Sequence, residues 1–251
     1  YENYTCATFS SAFMNYLSLC IILSLTFSYC YKKLNLDVAE SILTVLFTYI
    51  YIDHVEAFTL DRISILYLLT ILYFLDNKKI SIILIILSAI VNEKIIFILG
   101  GLFFIRLILN NKKEYYHFFI ATFLSAALAL TIFIFYSIIL KNGYYQSDLG
   151  GDGLYDTIFL KGLSRIFSIF TSKSGLSNGL LPLILSIIPY IISIKIKTSK
   201  FYFSKLDFLI PISLLLFTAG GGMEQTGRYV MYSMPLWLPI FSQQVLYFLK
   251  K

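Results

Sequence analysis

Along the chain, long apolar stretches alternate with short polar ones, and the apolar stretches show no alternation within themselves. The stretch "FFIATFLSAALALTIFIFYSIIL" (118–140) is apolar on every face and exceeds the roughly 20 residues that cross a bilayer as a helix. Strands of a membrane β-barrel would alternate apolar and polar positions. The pattern therefore predicts an all-α polytopic integral membrane protein, one transmembrane domain over 1–251. It has about eight membrane segments, some short or re-entrant.

A first helix is expected over about 8–31. Two hairpins follow, about 38–52 with 63–75 and about 80–91 with 95–109. They turn at "DHVEAFTLDR" (53–62) and "NEK" (92–94). Each arm has only about 11–15 apolar residues, less than a full span, so the turns should sit sunk in a protein-lined cavity. Reading 80–109 as one helix instead would leave Glu93 and Lys94 near the membrane centre, at about 2.5–3.5 kcal/mol for each charge. A long helix, about 116–140, leads to the loop 141–178, and the remaining helices fall at about 179–194, 207–219 and 230–249.

Composition supports the pattern. The chain is 58% hydrophobic and 14% charged, against about 25% charged in a soluble domain. The net charge of +6 would suit nucleic acid, but the positions of the basic residues argue against that. Lys32–Lys33, Lys78–Lys79, Lys112–Lys113, Lys250–Lys251 and the cluster "KIKTSKFYFSK" (195–205) all fit the cytoplasmic ends of membrane segments. Arg62, Lys94, Lys141, Lys161, Arg165, Lys173 and Arg228 then fall outside, among most of the acids. The basic excess is an orientation signal, and the expected partners are membrane lipids, with no nucleic acid.

Cys6, Cys20 and Cys30 form no disulfide framework; the latter two read as lipid-buried thiols. "NYT" (3–5) fits an N-glycosylation acceptor. "YENYT" offers no basic start of a signal peptide, and an N-terminal part is expected to precede Tyr1.

Candidate chemistry lies in the outer turns. "YIDHVEAFTLDR" gathers Asp53, His54, Glu56, Asp61 and Arg62. On a helical turn Asp53 and Glu56 would share a face, and a half-desolvated carboxylate pair suits general-base work or a divalent cation. Asp61 opens an apolar helix, where a carboxylate can cap free N–H groups, and His54 reads first as an interfacial residue. Glu93 and Lys94 are an ordinary polar turn or, at membrane depth, a site in which Lys94 holds a phosphate and Glu93 orients it. The loop 141–178 carries Asp148, Asp152 and Asp156 without the order of a calcium loop, so no dedicated metal site is expected. Its part from about Leu154 to Phe170 reads as an amphipathic helix lying on the membrane surface. In "GGGMEQTGRYVMYSMP" (220–235), Tyr229, Tyr232 and the following Trp237 suit interfacial anchors. Arg228 stands on the side poor in basic residues and can clamp a phosphate bidentately, or pair with Glu224.

Three stretches together resemble the GT-C superfamily of polytopic glycosyltransferases that use lipid-linked sugars. "TLDRISILYLLTILYFLDNKKISIILIILSAIVNEKIIFILGG" (59–101) resembles its outer acid, helix, basic inner turn and short apolar run ending at an outer Lys/Glu pair. "RIFSIFTSKSGLSNGLLPLILSIIPYI" (165–191) resembles its surface helix leading through a glycine turn into a proline-containing helix. "GRYVMYSMPLWLPI" (227–240) resembles its late arginine-bearing helix. The resemblance implies sugar transfer from a polyprenyl-phosphate donor on the non-cytoplasmic face, with Arg228 and Lys94 as phosphate contacts. That superfamily usually carries its catalytic acid in the first outer loop. This loop is expected to precede Tyr1, which leaves Asp53, Glu56 and Asp61 in supporting roles.

Two readings compete with the enzyme. A transporter or flippase would use the broken hairpins around a midplane site, and a non-catalytic subunit of a membrane complex would use its loops for assembly.

Overall fold

The computed structural model describes residues 2–54, 59–109, 113–139, 167, 170–173, 176, 180–195, 209–213 and 232–250. These residues are helical apart from short turns, with no strand among them. Nine helices are labelled in chain order. They are α1 (Glu2–Ser28), α2 (Val38–His54), α3 (Thr59–Tyr73), α4 (Lys78–Val91), α5 (Glu93–Phe104), α6 (Tyr116–Ile139), α7 (Leu181–Lys195), α8 (Leu209–Ser213) and α9 (Met234–Leu249). Where they are described, the apolar runs are helical near the expected bounds; of the run expected at about 207–219, Leu209–Ser213 is described. The surface helix expected at about 154–170 lies almost wholly outside the described residues.

Helix ends follow local chemistry. α1 winds on through a π-turn, Tyr29–Lys33, until Asn35 takes a left-handed conformation (φ 51°). Asparagine visits that region more readily than most residues, and helices commonly stop there. α2 starts in a reciprocal cap: the Glu40 N–H donates to Asp37 Oδ1 at 2.7 Å, and the Asp37 N–H donates to Glu40 Oε2 at 3.0 Å. Asp37→Ala is expected to cost about 1 kcal/mol, read as a lowered midpoint of thermal unfolding in detergent; an unchanged midpoint would show that packing alone fixes this helix start. α4 and α5 are separate helices. Asn92 between them is extended (φ −170°, ψ 128°), so the single helix over 80–109 does not form.

α1 and α3 run side by side in the same direction. Near the start of α3, Arg62 Nη1 donates to the Asn15 carbonyl midway along α1 at 2.9 Å, while past the far ends of both helices Lys33 pairs with Asp76 at 2.6 Å. α1 packs on α2 and α3, α2 on α9, and α9 on α7; α3 packs on α4, while α4 and α5 both pack on α6. α8 touches α5 and α7. α4 has 14 residues, about 21 Å of helix, so this arm is short of the roughly 30 Å hydrocarbon layer.

The interior mixes apolar side chains with small hydroxyls, and the surface is also rich in apolar side chains. Small hydroxyls are buried, among them Ser41, Thr44 and Thr48 of α2, Ser81 and Ser88 of α4, Thr122 and Ser125 of α6, and Ser242 of α9. Large apolar side chains such as Tyr16, Ile50, Ile83, Ile90, Phe123 and Phe135 are exposed. The hydroxyls serve as joints: Ser88 and Ser125 are 3.0 Å apart between α4 and α6. Gln244 Nε2 donates to the Pro189 carbonyl at 2.7 Å and to Ser193 Oγ at 2.9 Å, tying α9 to α7. Ile22, Leu68, Ile85, Ile98 and Phe103 lie in the apolar core between these joints. Cys20 is exposed on the apolar surface, whereas Cys30 is buried in the protein.

Two helical stretches, Phe13–Lys33 and Lys113–Ile132, are long and apolar enough to cross a membrane. Shorter apolar helices occupy Ile95–Ile108 and Leu181–Ser193.

Candidate functional site

At one end of the bundle, polar groups from four parts of the chain meet. Asp61 lies in the first turn of α3, where a carboxylate interacts favourably with the helix dipole. The side chain is 3% exposed and accepts a hydrogen bond from the Tyr232 hydroxyl, just before α9. The next residue, Arg62, is half-buried and holds the Asn15 carbonyl of α1. Its Nε is buried and has no acceptor among the described residues. One turn along α3, Ser64 Oγ accepts from Asn92 Nδ2 at 3.0 Å, which fastens the α4–α5 break to the same end. Just below, the rings of Tyr51 and Trp237 meet edge to face at 5.5 Å.

Of the residues singled out from the sequence, Asp61 and Arg62 enter this cluster. Asp53 is exposed in the last turn of α2. His54 ends α2, and Glu93 and Lys94 open α5 directly after Asn92; only their backbones are described. Glu56 and Arg228 lie outside the described residues, as do the acids of the loop 141–178. Asp61 lies in the first turn of α3, as the capping reading expects, and has a tertiary role as well through Tyr232. The interfacial-anchor reading of Tyr232 and Trp237 is corrected: they are 1% and 3% exposed and pack inside the bundle. The hydroxyl bonded to Asp61 explains the inward position of Tyr232.

Asn15, Ser64, Asn92 and Tyr232 were not singled out for the site. Asn15 left the clearest signal, an amide amid the apolar residues of the first helix, where polar groups usually have a partner or a function. Among the described residues no three His, Cys, Asp or Glu side chains converge to hold a metal ion.

The bundle's other end is basic. Lys32, Lys78, Lys79 and Lys113 are exposed there, about 18 Å from Asp61 along α3. The chain matches no protein-family model, no curated protein and no solved structure. What the described residues define is a class: a helical chain in which two helices are long and apolar enough to cross a membrane, with a buried carboxylate, Asp61.

Proposed function

We propose that the chain is a polytopic membrane protein that transfers a sugar from a polyprenyl-phosphate donor to an acceptor hydroxyl at the Asp61 end, on the non-cytoplasmic side. The membrane part rests on the exposed apolar side chains. The two longest apolar stretches are only 28% and 22% buried within the fold, whereas a core helix of a soluble protein would be mostly covered. The sidedness rests on the lysines at the opposite end.

One observation carries the chemistry: a buried carboxylate followed by an arginine at the end of the bundle away from the lysines. In this reading the Asp61 carboxylate takes the proton of the acceptor hydroxyl. The acceptor oxygen bonds to the anomeric carbon, whose bond to the phosphate oxygen breaks. Arg62 stabilises the charge gathering on the departing polyprenyl phosphate, and the GT-C resemblance implies Arg228 and Lys94 as further phosphate contacts. Tyr232 orients the carboxylate.

The test is transfer from radiolabelled polyprenyl-phosphate sugar in membranes. Asp61→Asn keeps an oxygen to accept from Tyr232 and loses the base, so turnover is expected to fall about 10²–10⁴-fold with little change in unfolding temperature. Undiminished turnover would remove Asp61 from the chemistry.

A second reading has its own support in the Tyr232 hydrogen bond. A carboxylate already engaged between α3 and α9 suits a latch in a non-catalytic subunit. This reading expects no transfer by the intact protein and a fold that depends on Asp61.

A further inference from the structure

Where α3 turns into α4, at the end of the bundle opposite Asp61, an open groove of about 430 Å³ is lined by Lys33, Phe74, Asp76, Asn77, Lys78 and Lys79. Its shape is fixed by short bonds. The Asn77 N–H donates to the Phe74 carbonyl at 2.8 Å, the same carbonyl accepts from Ser81 Oγ at 2.5 Å, and Asn77 Oδ1 caps the Ile80 N–H.

The groove's charges are unequally engaged. Asp76, its one carboxylate, is taken by Lys33 at 2.6 Å, and the Lys33 ammonium also lies 5.2 Å from the centre of the Tyr73 ring. Lys78 and Lys79 are exposed, and neither has a carboxylate partner among the described residues. Two ammonium groups without a carboxylate partner among the described residues therefore share the groove with an exposed aromatic ring, Phe74, at the rim of a bundle whose flanks are apolar. A phosphate bearing an acyl glycerol meets both features, with the anion on the lysines and the glycerol–acyl junction against Phe74. A free anion would use only the first.

We propose that this groove binds the headgroup of an anionic phospholipid, with Lys78 and Lys79 on the phosphate and Phe74 beneath the glycerol. The proposal rests on the bundle lying in a bilayer, and not on sugar transfer at the other end. Flotation of the membrane fraction after carbonate washing tests the bilayer separately, so the two failures are distinguishable.

The full chain, purified in a neutral detergent, is titrated with phosphatidylglycerol or phosphatidylcholine, and bound lipid is counted by native mass spectrometry. Preferential retention of phosphatidylglycerol is expected. Each lysine near an anionic lipid contributes about fivefold, so Lys78→Gln with Lys79→Gln should weaken phosphatidylglycerol binding about 25-fold. Phosphatidylcholine binding should stay unchanged. Lys113→Gln, which removes an exposed lysine outside the groove, should leave both lipids unaffected. Equal retention of the two lipids by the parent protein overturns the proposal. So does an undiminished preference in the double variant, or an equal loss in Lys113→Gln. Displacement of the lipid by an equimolar amount of inorganic phosphate would also overturn it, by showing that the glycerol and its chains contribute nothing.

Discussion

Asp61→Ala is expected to destabilise the protein by about 3 kcal/mol, because it leaves the Tyr232 hydroxyl buried without its acceptor and removes a bond to a carboxylate. Tyr232 is 1% exposed, so water cannot readily replace the lost partner. Tyr232→Phe takes away the donor and should cost about 1.5–3 kcal/mol, the range for a hydrogen bond to a charged group. If the two groups act on each other, the double variant costs less than the sum of the single ones, with a coupling of about 1–3 kcal/mol. Reversible unfolding in mixed detergent gives all four corners of this cycle. Additive losses would mean that the contact does not hold α9 to α3. The same cycle bears on function: strong coupling with transfer lost in both Asp61→Asn and Asp61→Ala supports the enzyme, and strong coupling with no transfer by the parent supports the latch.

The other large effect is expected in the core. Phe103, near the end of α5, is fully buried. Its ring lies 5.4 Å from that of Phe118 and 6.0 Å from that of Tyr115, centre to centre. Phe103→Ala removes the ring from between α5 and the start of α6 and should cost about 3–5 kcal/mol. Phe104 beside it is exposed, and Phe104→Ala should cost well under half as much in detergent, where micelle tails replace the lost contact. Equal losses in the two variants would contradict the placement of these neighbours. The pair also tests which face of α5 is covered, since the sequence "LFFI" gives no hint of which ring faces protein.

Helix existence was legible in the residues, and so were several ends. The apolar runs satisfy their own backbone only as helices, while Asn35, Asp37, Asn77 and Asn92 carry the short side chains that start or stop them. Lysine pairs marked alternate ends, and the direction of α1, α3 and α4 follows that order. Less was legible in the site. Asp61 and Arg62 stood out as charges at the head of an apolar helix. Tyr232, by contrast, looks like any interfacial tyrosine until its hydroxyl is placed against Asp61, 171 positions away. Trp237 misled for the same reason, because an aromatic ring with one polar atom suits a membrane interface and a helix–helix contact equally well.

The sequence by itself determined the helices of the described residues, the length of their apolar runs and the placing of Lys32–Lys33 and Lys78–Lys79 at neighbouring helix ends. Those properties depend on composition and on periodicity within single segments. Tertiary structure decided which carboxylate is buried, which tyrosine answers it and which face of each apolar helix is exposed. A helix apolar all round carries no internal mark of its packed side. That choice comes from neighbours brought together across the fold, through hydroxyl joints such as Ser88–Ser125 and through the hydrogen bond that sets Tyr232 on Asp61.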